Sequence, residues 1–219
     1  MGVGTEIKAG LSPLVDLIYP PRCPVCGVAV AKQGGLCIDC WSDLETPSNE
    51  HDGVVAATIY NDASRQLVLN FKHGGKISLA GLLGRMMAQR MPDADGEGDP
   101  LLVPVPLHRL RLWERGFNQA ALLARELARR GKGELCVDAL IRHKRTPSLG
   151  GLGRDARANA LKGAIGVRPS RRARIVGRDI ALIDDVFTSG ATSSACTKAL
   201  MEAGARSVQV VCFSRVAEG

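Results

Sequence analysis

Apolar residues along this chain fall into short compact runs that take turns with helical stripes. Residues 54–60, 101–105, 180–183 and 207–213 are apolar runs bounded by polar or turn residues, and such runs predict buried strands. Between them, residues 64–71 predict a short helix. Residues 77–91 predict a longer one, with Leu79, Leu82, Leu83, Met86 and Met87 on a single face; that stripe is core. Asn118 stands as an N-cap, with Phe117 and Leu122 placed as a hydrophobic staple and the helical pattern running on to Gly131. Cys196, Ala199, Leu200 and Ala203 mark a last helix, and Gly204 stands where a C-terminus takes a left-handed residue. Pro104 and Pro106 bend the chain after the second strand. Strand, helix and strand in this order predict an α/β fold, a mostly parallel sheet flanked by helices with right-handed crossovers.

Residues 180–213 carry the most chemistry. The predicted strand ends on two adjacent acids, Asp184 and Asp185. A turn of small and hydroxylic residues follows, Thr188, Ser189, Gly190, Ala191 and Thr192, and runs into the helix. Two carboxylates at a buried strand end are costly unless a cation or hydroxyl meets them. A turn of this composition at a helix N-terminus offers free N–H groups and hydroxyls, an anion cradle. A ligand satisfying both carries a vicinal diol near a phosphate, which describes a ribose 5-phosphate. The plainer alternative is a βαβ unit with acids at an exposed strand end; it requires strand, acid pair and phosphate-sized turn to coincide by chance.

The N-terminal part is of another kind. Residues 1–22 are weakly patterned, and Pro20 and Pro21 end any short helix over residues 11–18. Cys23 and Cys26 then form one C-x₂-C pair and Cys37 and Cys40 a second, the spacing of a tetrahedral four-cysteine Zn²⁺ site of ribbon type. Disulfides suit an oxidising compartment, and a redox C-x-x-C lacks its flanking βαβ pattern here. Four ligands close the coordination sphere, so the zinc is expected to be structural. Cys136, Cys196 and Cys212 lie in apolar contexts as core thiols. Residues 45–53 read as a linker, dividing the chain into a zinc module over 1–50 and an α/β domain over 51–219.

Composition changes this picture in one respect. A chain of 219 residues holds one α/β domain and a small appendage. No apolar run reaches membrane-spanning length and no basic segment precedes an apolar leader, so a cytoplasmic protein without a membrane span is expected. The net charge of +7 is unevenly spread: from Arg142 to Arg178 there are eleven Lys or Arg and one acid, Asp155. Such a stretch expects phosphate, pyrophosphate or nucleic acid; a merely solvated basic face is the alternative. The turn Lys72, His73, Gly74, Gly75, Lys76 is open in the same way, as a diphosphate contact or a helix stop, and His73 alone identifies no base. Residues 93–99 imitate a calcium loop, but Pro104 stands where the bidentate Glu belongs. Gly151, Gly153 and Ala156 spell a dinucleotide fingerprint with no strand before it.

The stretch from Ile180 to Thr192 resembles the phosphoribosyl-pyrophosphate (PRPP) loop of type I phosphoribosyltransferases. With Val103-Pro-Val-Pro106, Arg115-Gly-Phe-Asn-Gln119, the segment containing Thr146, Leu152, Arg157 and Asn159, and the cysteine pairs ahead of them, nearly the whole chain resembles the ComF-type competence family. The resemblance implies a type I phosphoribosyltransferase-like fold behind a small zinc ribbon. It implies that Asp184 and Asp185 hold the ribose hydroxyls and that Thr188, Ser189, Gly190, Ala191 and Thr192 hold the 5-phosphate. The turn after Val105 would be the pyrophosphate loop, with Arg109, Arg115 and Arg157 toward the phosphates and a flap over about 143–162. Where many members carry Gln in that flap this chain has Leu149, which removes a polar role there. Mg²⁺ would accompany PRPP.

Two functions follow from the resemblance. One is transfer of a phosphoribosyl group from PRPP to an acceptor that no residue of the sequence specifies. The other is a non-catalytic role in DNA uptake, handling single-stranded DNA, sensing PRPP or contacting DNA-uptake proteins. The basic run suits the second, while 4% aromatic residues leave few platforms for base stacking.

Overall fold

The computed structural model describes residues 20–48, 53–73, 77–94, 96, 98–144 and 163–217. Its strands are β1 (Val54–Ile59), β2 (Leu101–Pro104), β3 (Glu134–Leu135), β4 (Leu140–Arg142), β5 (Ile165–Val167), β6 (Asp179–Phe187) and β7 (Ser207–Arg215). Its helices are α1 (Ile38–Ser42), α2 (Asp62–His73), α3 (Leu79–Ala88), α4 (Arg109–Arg115), α5 (Gln119–Arg129) and α6 (Ala191–Glu202), with a 3₁₀ turn over Pro169–Arg174. Five strands form one sheet in the order β1-β7-β6-β2-β3, and every neighbouring pair is parallel. β4 and β5 pair antiparallel as a separate ribbon. This is the expected α/β fold, a parallel sheet with helices on both faces.

The period-two rule sorts the core. On β6, Ala181 and Ile183 join a cluster with Leu67 and Phe71 of α2, Leu83 and Met87 of α3, and Leu123 and Leu127 of α5. Ile180 and Leu182 join the opposite cluster, with Cys196 and Leu200 of α6 and Cys136 and Cys212. The predicted stripe of Leu79, Leu82, Leu83, Met86 and Met87 is buried throughout, as are the three core thiols.

Chain order then locates a crevice. β6 continues through α6 to β7 on one side, while β2 continues through α4 and α5 to β3 on the other. The two connections diverge between β2 and β6, and a crevice opens there at the carboxyl ends of the strands.

Several predicted boundaries shift. β6 does not stop at Ile183: it pairs with β7 as far as Phe187 opposite Arg215, whereas its pairing with β2 ends at Pro104 opposite Ile183. The acid pair therefore lies within a strand, on the part that outruns β2. Asn118 is the N-cap residue of α5 but makes no side-chain cap; its Nδ2 donates to the Val105 carbonyl at 3.0 Å, fastening the exit of β2. Phe117 meets the ring of Phe71, with centroids 6.4 Å apart. α4, the β4–β5 ribbon and the 3₁₀ turn are too short to leave a periodic signal.

The cysteine module packs directly on the sheet domain. Val25, Leu36 and Leu44 lie against the α2–α3–α5 core. Ile59 N–H donates to the Glu45 carbonyl at 2.8 Å, and Arg90 Nη2 to that of Pro47 at 3.1 Å. The first residues of the expected linker are thus bound to the domain, whereas residues 49–52 lie outside the described ones. No described helix is long and apolar enough to cross a membrane.

Candidate functional site at the carboxyl end of the sheet

Successive residues of a strand point to opposite faces, so Asp184 and Asp185 diverge. Asp185 is buried and faces α2, where Lys72 Nζ stands 2.8 Å from its Oδ2. Asp184, half-buried, faces α6; its Oδ1 accepts from the Asp185 N–H at 2.9 Å. Burial first, and the charge of Asp185 second, push the Asp184 carboxyl up to about 8. Burial of this kind favours the neutral acid over the charged one.

The turn after β6 is shaped for close approach. Gly190 has φ +71°, and a Cβ there would stand 3.0 Å from the Phe187 ring; it takes the N-cap position of α6. The Ser194 N–H makes a bond of 2.7 Å to the Gly190 carbonyl, which begins the helix. A hollow of about 60 Å³ lies in this turn, lined by Thr188, Ser189, Gly190, Ala191 and Thr192 together with Asp184, Val186 and Ser193. Its donors come from a helix N-terminus, where the macrodipole favours an anion.

A second cleft, about 200 Å³, adjoins it. Asp184 and Thr192 line both, so hollow and cleft share a wall. Asp185, Lys72, Arg111, Arg115 and Arg142 line the cleft, and Val105, Pro106 and Leu107, the turn after β2, form another side. Arg142 is buried; burial, and then the neighbouring charge of Arg111, lower its pKa, while Asp184 opposes that. Arg115 Nη1 donates to Gln119 Oε1 at 3.2 Å. A larger groove, about 740 Å³, runs along the other side of the turn past Val54, Lys198 and Arg215, and neither acid lines it.

The structure thus gathers Asp184, Asp185, Thr192 and Arg115 at one cleft and the rest of the small-residue turn beside it. Arg109 is exposed at the start of α4 and does not line the cleft. Arg157 and most of the expected flap, residues 145–162, lie outside the described residues. Sequence reasoning missed Arg111, two residues from the Arg109 it chose, and Arg142, the first residue of the basic run. Lys72, left open there, reaches Asp185.

Much of the basic run is neutralised elsewhere. Arg168 and Arg171 pair with Asp138, and Arg174 and Arg178 pair with Glu134.

The four cysteines form a second candidate site. The Sγ atoms of Cys23, Cys26, Cys37 and Cys40 all lie within 4.8 Å of one another, with Cys26 and Cys37 at 3.6 Å. A tetrahedron of ligands at about 2.3 Å from Zn²⁺ needs separations of this size, and an all-thiolate set suits that ion. Burial raises the Cys23 thiol, but N–H groups of Cys26, Cys37 and Val25 more than offset it, and it falls to about 6. At Cys40, burial and the thiols of Cys37, Cys26 and Cys23 push the pKa upward.

Comparison with known proteins agrees with this layout. The double zinc ribbon domain family matches residues 14–51. Competence protein F of Haemophilus influenzae is 29% identical over 194 residues, 87% of this chain and 82% of that protein. Competence protein ComFC of Bacillus subtilis is 28% identical, over 83% of this chain and 72% of that protein. DNA utilization protein YhgH of Salmonella typhi is 29% identical, over 88% of this chain and 89% of that protein. Over most of its length the chain is thus similar to proteins named for competence and DNA utilization. Among solved structures, TT1426 from Thermus thermophilus matches at TM-score 0.34 and 21% identity, over 65% of this chain and 84% of that one. A hypoxanthine phosphoribosyltransferase from Staphylococcus aureus matches at TM-score 0.36 and 17% identity, over 67% and 69%. Scores of this size have no bearing on function. The ribbon with its four cysteines supports a structural zinc in this chain.

Proposed function

We propose that the cleft binds PRPP and that the chain transfers its phosphoribosyl group to an acceptor. The observation that carries this reading is the shared wall: Asp184 and Thr192 line both the small hollow and the cationic cleft. One ligand with a phosphate at one end, a diol in the middle and a diphosphate at the other spans both. The 5-phosphate sits among the N–H groups and hydroxyls from Thr188 to Thr192, and the ribose hydroxyls donate to Asp184 and Asp185. Arg111, Arg115, Arg142 and Lys72 face the diphosphate, where charge-assisted bonds are strongest.

The chemistry is displacement at the anomeric carbon. Its bond to the diphosphate oxygen breaks, the electron pair leaves with diphosphate, and the acceptor forms the new bond through an oxocarbenium-like state. The arginines stabilise the charge that develops on the leaving group. The cleft lining contains two carboxylates, one already paired with Lys72. Mg²⁺, when bound, would sit mainly on diphosphate oxygens and water and screen their charge.

Calorimetric titration of PRPP with and without Mg²⁺ tests the reading. Wild type binds, and Asp184→Asn/Asp185→Asn weakens binding at least about 10-fold, since hydrogen bonds to charged groups contribute about 1.5–3 kcal/mol. Equal binding by both proteins, or by neither, refutes it.

One observation favours a second role, the handling of single-stranded DNA. No residue of α4 is buried, and Trp113 on it is 85% exposed among Arg109, Arg111 and Arg115. An exposed indole between arginines is a stacking platform for a nucleobase. Oligothymidine affinity should fall steeply with salt and drop about 5-fold or more in Trp113→Ala, as loss of one stacked base implies. Affinity unmoved by this substitution argues against it.

A further inference from the structure

The last turn of α2 touches three parts of the molecule with three consecutive side chains. Asn70 Nδ2 donates to the Pro24 carbonyl at 2.5 Å, and Pro24 lies inside the first C-x₂-C turn. Phe71, wholly buried, packs on Phe117, next to the Asn118 that fastens the exit of β2. Lys72 reaches Asp185. The other end of α2 is tied to the same module: Asn61 Nδ2 donates to the Asp43 carbonyl at 2.6 Å, while Asn61 Oδ1 accepts from the Ser64 N–H at 3.0 Å. Val25, between two of the cysteines, packs on the core that α2 shares.

We infer that the cysteine ribbon is a positioning device for the cleft, acting through Asn70 to set Lys72 on Asp185. The inference rests on the PRPP reading above. A C-x₂-C turn has a fixed shape while its thiolates share a metal, so the Pro24 carbonyl is a fixed acceptor. That carbonyl holds the helix end, and the helix end holds the ammonium. Without Lys72 in place, Asp185 is a buried carboxylate lacking its counter-charge beside an anionic ligand, which costs affinity for diphosphate. Asn70 is a positioning residue and touches no substrate. PRPP affinity therefore follows the integrity of the ribbon although the ribbon does not line the cleft.

The test is a double-mutant cycle on the zinc-loaded, full-length protein, with PRPP affinity, zinc content and melting temperature measured for each variant. Asn70→Leu keeps the side-chain bulk and removes the donor. It should retain about one zinc equivalent and weaken PRPP about 5-fold, the loss of one hydrogen bond of ordinary strength. Lys72→Met should weaken it at least as much, and the double variant should be no worse than Lys72→Met alone, because residues acting in series do not add. Asn70→Gln, which keeps an amide donor, should recover most of the loss. The inference fails if zinc-replete Asn70→Leu binds PRPP like wild type, if the two losses add, or if Gln does no better than Leu. Wild-type protein that binds no PRPP refutes the earlier reading instead, so the two failures are distinguishable.

Discussion

Arginines gather at two places on this sheet and meet opposite treatment. Toward the amino ends of the strands and along the β3 edge, Glu134 takes Arg174 at 2.6 Å and Arg178 at 3.0 Å. Asp138 takes Arg171 at 2.9 Å, and Asp179 takes Arg206. Each acid is held down by its partners: Arg174 leads at Glu134, Arg171 at Asp138 and Arg206 at Asp179. At the carboxyl ends, Arg142 is buried near Arg111, and its pKa is lowered rather than raised. Cations beside acids seal a surface, whereas the cations of the cleft stand near one another as well as near Asp184 and Asp185. Residue type and local abundance are alike in the two places; at the first each acid is lowered by its arginines, while in the cleft burial and like-charged neighbours shift Arg142 and Asp184 away from their charged forms.

The sharpest way to break this comparison is to remove one arginine from each place. Arg142→Met should weaken PRPP roughly 10–100-fold, because a buried charge-assisted bond to phosphate is lost. Arg174→Met and Arg178→Met should each leave PRPP affinity within about 2-fold. They should lower the melting temperature by about 2–4 °C at most, the scale of a partly exposed ion pair in a chain of this size. Calorimetry and thermal melts read both quantities on the same samples. Equal losses of affinity at the two places would remove the distinction.

The parts of the site that sequence revealed are those carried by contiguous residues. The unit from β6 through α6 to β7 announced itself because apolar runs, a small-residue turn and a helical stripe follow in order. The four cysteines did so because ligand spacing is itself sequential. What stayed hidden depends on pairing at a distance. That β6 runs past Ile183 is decided by β7, which continues beside it to Arg215; Asp is depleted in strands, so Asp184 and Asp185 read as a strand end. Arg142 enters the cleft from a three-residue strand whose partner, β5, lies more than twenty residues on. At α4, His108 Nδ1 accepts from the Leu110 N–H at 3.3 Å, and the helix places Arg111 at the cleft and Arg109 away from it. Lys72 was visible only as a basic residue near a glycine turn. Similarly, the eleven cations between Arg142 and Arg178 looked unopposed because Asp138 and Glu134 precede them in the chain.

A smaller effect tests the same contrast through pH, in ligand-free protein. Asp179, partly exposed, is brought down to about 2 by hydrogen bonds from Arg206 and then Ser207. Above the ordinary carboxylate range it is ionised in both folded and unfolded chains, and its contribution is fully present. That contribution fades as pH falls through about 2. Asp184 runs the other way. The unfolded chain releases this proton near pH 4, while burial and then Asp185 let the folded chain keep it to about 8. Between those values the folded state binds more protons, so rising pH erodes stability. Asp184→Asn keeps the acceptor for the Asp185 N–H and abolishes the titration. Its melting temperature should gain on wild type steadily from pH 5 to 8.5. Asp179→Asn should melt slightly below wild type at pH 7, by about 2 °C or less given its exposure, and draw level near pH 2. If Asp184→Asn instead tracks wild type at a constant offset across pH 5 to 8.5, Asp184 is no more withdrawn from water than Asp179. The carboxyl end then holds its charges as the amino end does, and the contrast between the two places is lost.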